Sequence, residues 1–311
     1  MSKLNAWEGA LATVDDEFNG AYVSPEYPVF SINEKNAHQA YLRHLLAWPG
    51  LWGQLTPRGS MVRRKRTTPA TLLATCVPLP ELAEQRRVAD KLDAAVMRIE
   101  QMTRAKEHSR SLALQHADAL FRSVDRNAPL AEVLHIDNEF TDVESDSSYP
   151  VTGIYSFGRG LIKRPVIQGS ETAYPRFARL RTGQVVMSKL NAWEGALAVV
   201  GDDFADTFVS PEYPVFSLNK EAADAAYIQH LLAWPELWAR LTPRGSMVRR
   251  KRTTPATLLA TDAPLPSIEE QRRIAKQLTL AREVTDGGAA QVEQLAVLRR
   301  TLLDAAFSGR L

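Results

Sequence analysis

An α+β fold built twice is what the sequence predicts: two repeated domains, the first incomplete, each followed by a long α-helix, the two helices pairing as an antiparallel coiled coil. Three observations predict it. The segment MSKLNAWEGALA at Met1 returns at Met187, and the offset of 186 residues holds without a gap as far as Phe121 and Phe307. A period this long indicates duplication of a whole folding unit, since solenoid repeats run about 20 to 50 residues. Each repeat then passes from β-rich texture to helical spacing, and each closes on a PLP motif that opens a long polar-apolar segment. The boundaries this implies are 1–80 for the end of the first domain, 81–125 for its helix, 126–266 for the second domain and 267–311 for its helix.

The elements follow in chain order within the fuller second repeat. Val151 to Ser156, Val166 to Ile167, Val185 to Met187 and Ala196 to Val200 are β-branched stretches bounded by Gly, Pro or Asp, the signature of short strands. From Asn219 the run KEAADAAYIQHLLAWPELWARL has apolar residues at helical spacing, and Pro235 divides it into two helices. Pro264 and Pro266 close the globular part, as Pro78 and Pro80 do in the first repeat. Beyond them, Val88, Leu92, Ala95, Ile99 and Met102 form a stripe suited to packing on another helix, and Ile274, Leu278, Ala281 and Val284 form its counterpart. The pair Gly287 and Gly288 is expected to weaken or bend the second helix. Residues 126–186 have no counterpart in the first repeat, so its domain is expected to lack several strands and to expose apolar surface and strand edges. That points to a reading frame extending upstream or to a degraded remnant.

Composition excludes several classes. With 38 Lys and Arg against 36 Asp and Glu, the net charge of +2 provides no global field for a polyanion, so any nucleic-acid signal must be local. The single cysteine, Cys76, is replaced by Asp262 in the repeat, which argues against a ligand or nucleophile. No apolar run reaches the roughly 20 residues that span a bilayer, and no signal core opens the chain; a cytoplasmic location is expected. Phosphate-loop, HExxH, CxxC and GxSxG patterns are all missing. His44 and His230 recur within HLLAWP, where local structural hydrogen bonding is expected, and Glu8 and Glu26 recur as Glu194 and Glu212 without a visible pocket for acid-base work.

One block stands out. LTPRGSMVRRKRTTPATLLAT occurs twice, and in the second repeat Arg244, Arg249, Arg250, Lys251 and Arg252 put five cations within nine positions; Arg58, Arg63, Arg64, Lys65 and Arg66 are their first-repeat counterparts. Arginine forks can hold phosphate or the O6 and N7 edge of guanine, and Ser246, Thr253 and Thr254 can donate to phosphate oxygens. The competing reading is a solvated charged surface with Thr253, Thr254 and Pro255 as a helix start. A second patch, YSFGRGLIKRP, interleaves Arg159, Lys163 and Arg164 with Tyr155, Phe157 and two glycines, which allow close approach to a duplex. SKLNAWEGA adds Lys189, Asn191, which could read adenine, and Trp193, more at home in the core.

PLPSIEEQRRIAKQL, the terminal LRRTLLDAAFSGRL and the series MSKLNAWEGA, VSPEYPVF and RRKR resemble the specificity subunits of type I restriction-modification systems over nearly the whole chain. The resemblance implies two target recognition domains, each reading half of a split DNA sequence, with antiparallel helices holding them apart. It places Pro264 to Pro266 with Glu270 to Arg273, and Pro78 to Pro80 with Glu84 to Arg87, at the junctions from recognition domain to helix. It implies no enzyme activity, metal or cofactor in this chain: duplex DNA is bound here, while modification subunits use S-adenosylmethionine and motor-nuclease restriction subunits need ATP and magnesium. The alternative is a scaffold that only docks modification subunits. A fused methylase would need a motif such as NPPY, which does not occur.

Overall fold

The structure, a computed structural model, describes residues 1–55, 66–137, 139–241 and 252–309. The chain forms two compact units: residues 1–110 together with the segment from Asp286 onward, and residues 111–285. The first contains α1 (Gln39–Leu46), α2 (Pro49–Gln54), α3 (Pro69–Leu73) and most of α4 (Leu82–Arg122). Among its described residues there is no strand.

The second unit carries the β-structure: β1 (Asn127–Pro129), β2 (Leu134–Asp137), β3 (Thr141–Asp142), β4 (Ser148–Tyr149), β5 (Thr152–Ile154), β6 (Leu161–Lys163), β7 (Ile167–Gln168), β8 (Arg176–Arg179), β9 (Val185–Met187), β10 (Leu197–Val199), β11 (Phe208–Val209), β12 (Val215–Leu218) and β13 (Asp262–Pro264). Antiparallel pairing gives the orders β10-β9-β12-β2 and β11-β8-β3, with hairpin-like pairs β4-β7 and β5-β6, and β1 beside β13. Helices α5 (Ala225–Leu232) and α6 (Pro235–Leu241) are separated where Pro235 ends one and starts the next, as its missing N–H requires. Then α7 (Pro255–Leu259) follows, and α8 (Ile268–Phe307) completes the chain's helices.

Each long helix serves both units. In the first, the start of α4 (Val88, Ala89, Leu92) packs with the end of α8 (Leu303, Phe307) under Tyr41 and Leu45. In the second, the end of α4 (Phe121) packs with the start of α8 (Ile274, Ala275, Leu278) under Tyr227 and Leu231. The helices therefore run antiparallel, and equivalent anchors change hands. Trp48 donates its ring N–H to Asp304 at 2.6 Å, and 186 residues on, Trp234 donates to Asp118 at 2.9 Å. Phe307 lies 5.3 Å from Tyr41, and Phe121 5.7 Å from Tyr227, ring centre to ring centre. Every globular part thus sits on the beginning of its own helix and the end of the other repeat's.

The PLP and EQRR motifs acquire physical roles. Tyr227 donates its hydroxyl to the Pro264 carbonyl at 2.8 Å, and Tyr41 does the same to Pro78 at 2.9 Å. Gln271, buried, accepts from Asp224 N–H and donates to the Ala222 and Pro266 carbonyls. Gln85 repeats this pattern with His38, Asn36 and Pro80. An unsatisfied buried amide would cost about 1–3 kcal/mol, so one glutamine staples the helix start to its domain only because all its partners are present. Glu84 and Glu270 fork onto Arg87 and Arg273 one turn along the helix surface.

Helix α8 runs without interruption through Gly287 and Gly288, and Gly288 is buried where an added Cβ would come 3.8 Å from the Lys106 carbonyl. One expectation is corrected. The stripe is shifted: Met102 and Val284 are exposed, while Val96, Thr103 and Thr285 take the covered side. Recurrent His44 and His230 do make local hydrogen bonds, to Asp93 and to Thr279 at 3.0 Å.

Burial, with Arg282 adding to it, pushes His230 down to about 4. The folded protein keeps it neutral while the unfolded chain protonates near 6.5, so stability is expected to fall as pH drops from about 6.5 to about 4. Urea midpoints across that window should fall less steeply for His230→Gln; equal slopes in both proteins would exclude this histidine as the cause.

Candidate nucleic-acid interface

Three sequence segments meet at Lys189. Its N–H donates to the Glu212 carbonyl at 3.1 Å, its carbonyl accepts from Thr253 at 2.8 Å, and its ammonium donates to the Pro211 carbonyl at 2.7 Å. The first repeat has the same frame, with Lys3 bonded to Glu26 at 3.0 Å and to Thr67 at 2.8 Å. The strip carrying Lys189 and Asn191 is thereby held against the point where Arg252 leaves the basic block. Arg252 forms an ion pair with Glu212, and Arg66 one with Glu26 at 3.0 Å; both arginines are about half exposed, so these pairs contribute little stability and can exchange partners.

Beyond Lys189 the chain makes a single 3-10 turn, Ala192–Glu194, closed by Gly195 at φ +81°. The Asn191 carbonyl accepts from both Glu194 and Ala196, which buries Ala192 and leaves Leu190 and the Asn191 side chain in solvent. Against this turn docks the tip of the β5-β6 hairpin. Phe157 N–H donates to the Glu194 carbonyl at 2.7 Å, and Gly158 N–H to the Gly195 carbonyl at 3.1 Å. Both Phe157 and Gly158 have positive φ, and Phe157 is 64% exposed. A non-glycine residue held left-handed is strained, and such residues cluster at functional sites. Trp238 of α6 closes the back: a Cβ on Gly195 would meet its ring at 2.4 Å, and one on Gly158 at 3.1 Å.

Arg159 at the tip stacks 4.7 Å from the Tyr155 ring and donates to the Ser156 carbonyl. Lys163 and Arg164 lie further down the hairpin. Lys163 sits 5.8 Å from the Phe204 ring, and Arg164 covers Gly153 so closely that a Cβ there would meet it at 2.9 Å. The structure therefore brings Arg159, Lys189, Asn191 and Arg252 to one neighbourhood, with Lys163 and Arg164 along its stem. Arg58, Arg63, Arg64 and Lys65, and likewise Arg244, Arg249, Arg250 and Lys251, lie outside the described residues, as does Ser246.

Thr253 and Thr254 have structural work. Thr253 is buried, and Thr254 caps α7 by accepting from Thr257 N–H at 3.1 Å, with Pro255 at the first helical position. The helix-start reading holds for these residues. Trp193 is half-buried, with its ring N–H on the Leu190 carbonyl, and does not join the core. Sequence reasoning missed Glu212 as partner of Arg252 and the role of Trp238; the recurrence of both pairs at the same offset was the available signal. Among the described residues, no cluster of His, Cys, Asp or Glu could hold a metal ion, and no helix is long and apolar enough to cross a membrane.

Among solved structures, a chain from a study of complex assembly and conformational transition in the type I restriction-modification system matches with a TM-score of 0.59 at 21% identity, covering 90% of this chain and 73% of that one. The HsdS subunit of Thermoanaerobacter tengcongensis matches at 22% identity with a TM-score of 0.49, covering 90% and 72%. The fold is shared with the first of these, the chain from the type I restriction-modification system. Among curated proteins, the chain is similar to the type I restriction enzyme EcoBI specificity subunit of Escherichia coli, 22% identical over 360 aligned positions that span 98% of this chain and 74% of the relative. No family model matches.

Proposed function

We propose that this chain is a DNA-recognition subunit of a type I restriction-modification complex: it binds the two halves of a split target and positions modification and restriction subunits, without chemistry or a cofactor of its own. The observation that carries the reading is the Lys189 frame, which sets Asn191, Arg252 and the hairpin tip beside the root of the basic block in a chain similar to a specificity subunit almost end to end. In this reading Arg252 and the four cations before it grip phosphates, and Arg159, Lys189 and Asn191 lie close enough to reach base edges. Lys163 and Arg164 extend the phosphate track. Near-identical blocks in two repeats suit near-palindromic half-sites.

Salt dependence tests it. Each phosphate contact contributes about −0.9 to the slope of log affinity against log salt. Replacing Arg249, Arg250 and Lys251 by alanine should flatten the slope for duplex binding by about 2 to 3, with or without modification subunits present. An unchanged slope would leave only the scaffold reading, in which the helices dock modification subunits and the block stays in solvent.

A further inference from the structure

Residues 11–32 of the first unit repeat the sequence of three strands without the strands that hold them. In the second unit β10 is paired by β9, β11 by β8, and β12 by β2 and β9. All of those partners come from residues 134–187, and residues 1–125 contain no counterpart of 126–186. The outcome differs residue by residue. Val215 and Phe216 of β12 are 3% and 0% exposed; their counterparts Val29 and Phe30 are 71% and 36% exposed. Tyr22, the counterpart of Phe208, is 99% exposed. Tyr22, Val23, Val29, Phe30 and Ile32 make no backbone hydrogen bond with another described residue.

Scattered apolar residues on a surface need no explanation, but a run of them with unpaired backbone is a template for strand addition. The rest of the frame stands ready. Ser2 is bonded to Ala10 and Lys3 to Glu26, and Ala6 is packed with Leu51 and Leu55 as its counterpart Ala192 is packed in the other unit.

We infer that this face is a docking site for a strand-bearing polypeptide segment with the chemistry of residues 126–187, added edge to edge onto residues 11–13, 22–23 and 29–32. The repeat identifies the occupant: the same pattern is buried in the second unit by Leu134, Phe177, Val185 and Met187, presented from short antiparallel strands. Nucleic acid does not fit, since residues 21–32 contain neither lysine nor arginine and are rich in aromatic and branched apolar side chains. A second copy of the chain fits poorly, because its own residues 126–187 are committed to the core of its second unit.

Hydrogen exchange on the full-length chain tests this. Residues 126–187 carried on a soluble fusion partner are added in trans and, in a second experiment, are joined ahead of Met1 so that the segment's own solubility does not matter. Exchange at residues 22–23 and 29–32 should slow by about tenfold or more in both arrangements. Val29→Asp with Ile32→Asp, at positions already exposed, should abolish the effect in trans while leaving the free chain folded. Unchanged exchange in the tethered protein overturns the inference. So does protection that grows with concentration of the chain alone as its mass doubles, which would make a second copy the occupant. Duplex binding through residues 244–252 is read separately, so failure here and failure of the recognition reading are distinguishable.

Discussion

Replacing Phe121 with alanine is expected to lower the unfolding free energy of the unit formed by residues 111–285 by about 3–5 kcal/mol. The ring is almost fully buried, 5.0 Å from Trp234 and 5.7 Å from Tyr227, within a cluster that joins α4, α5 and α8. Its removal leaves a cavity that the aromatic neighbours, Tyr227 on α5 and Trp234 just after it, cannot fill without turning away from their own hydrogen bonds, Trp234 to Asp118 and Tyr227 to Pro264. Urea unfolding followed by tryptophan fluorescence measures the loss. Phe307→Ala should do the same to the unit that holds Tyr41 and Trp48. A loss below about 1 kcal/mol, the size of an average substitution, would show that the helix ends are held by something other than these rings.

The next largest effect is expected at Gly195, and a second glycine separates its causes. Gly195 and Gly183 both have φ above +80°, where a side chain costs about 1–2 kcal/mol. Around Gly183 a Cβ meets open space, whereas at Gly195 it would strike the Trp238 ring at 2.4 Å. Gly183→Ala should therefore lose only the backbone cost, and Gly195→Ala should lose about 1–3 kcal/mol more through overpacking. The displaced indole also supports Gly158 and the hairpin tip, so Gly195→Ala should weaken duplex binding while Gly183→Ala leaves it unchanged. Equal behaviour of the two variants in both measurements would remove Trp238 as the support of the tip.

The repeat, the division at Pro235, the two long helices and several strands were legible because each is written in local pattern: identity at fixed offset, proline, and three-four spacing. What local pattern cannot carry is context. Leu197, Val209 and Val215 enter strands, while the same or similar residues at 11, 23 and 29 do not, because a strand exists only with its neighbour. Gly287 and Gly288 are poor helix formers by propensity, yet α8 runs through both, with Gly288 facing the other helix near Lys106. At the candidate interface, the residue types were visible, but the gathering of Arg159, Asn191 and Arg252 depends on main-chain bonds of Lys189 and Phe157 that no side-chain pattern encodes.

The exchange of helix ends has a consequence for biosynthesis. The unit of residues 111–285 is one uninterrupted stretch and can collapse while the ribosome is still at work, whereas the other must wait for Leu303 and Phe307, made about 260 residues after contact partners such as Tyr41. Translation order is thereby inverted: the half encoded first matures last, and a nascent chain halted short of α8's final turns would have one finished lobe and one awaiting its keystone.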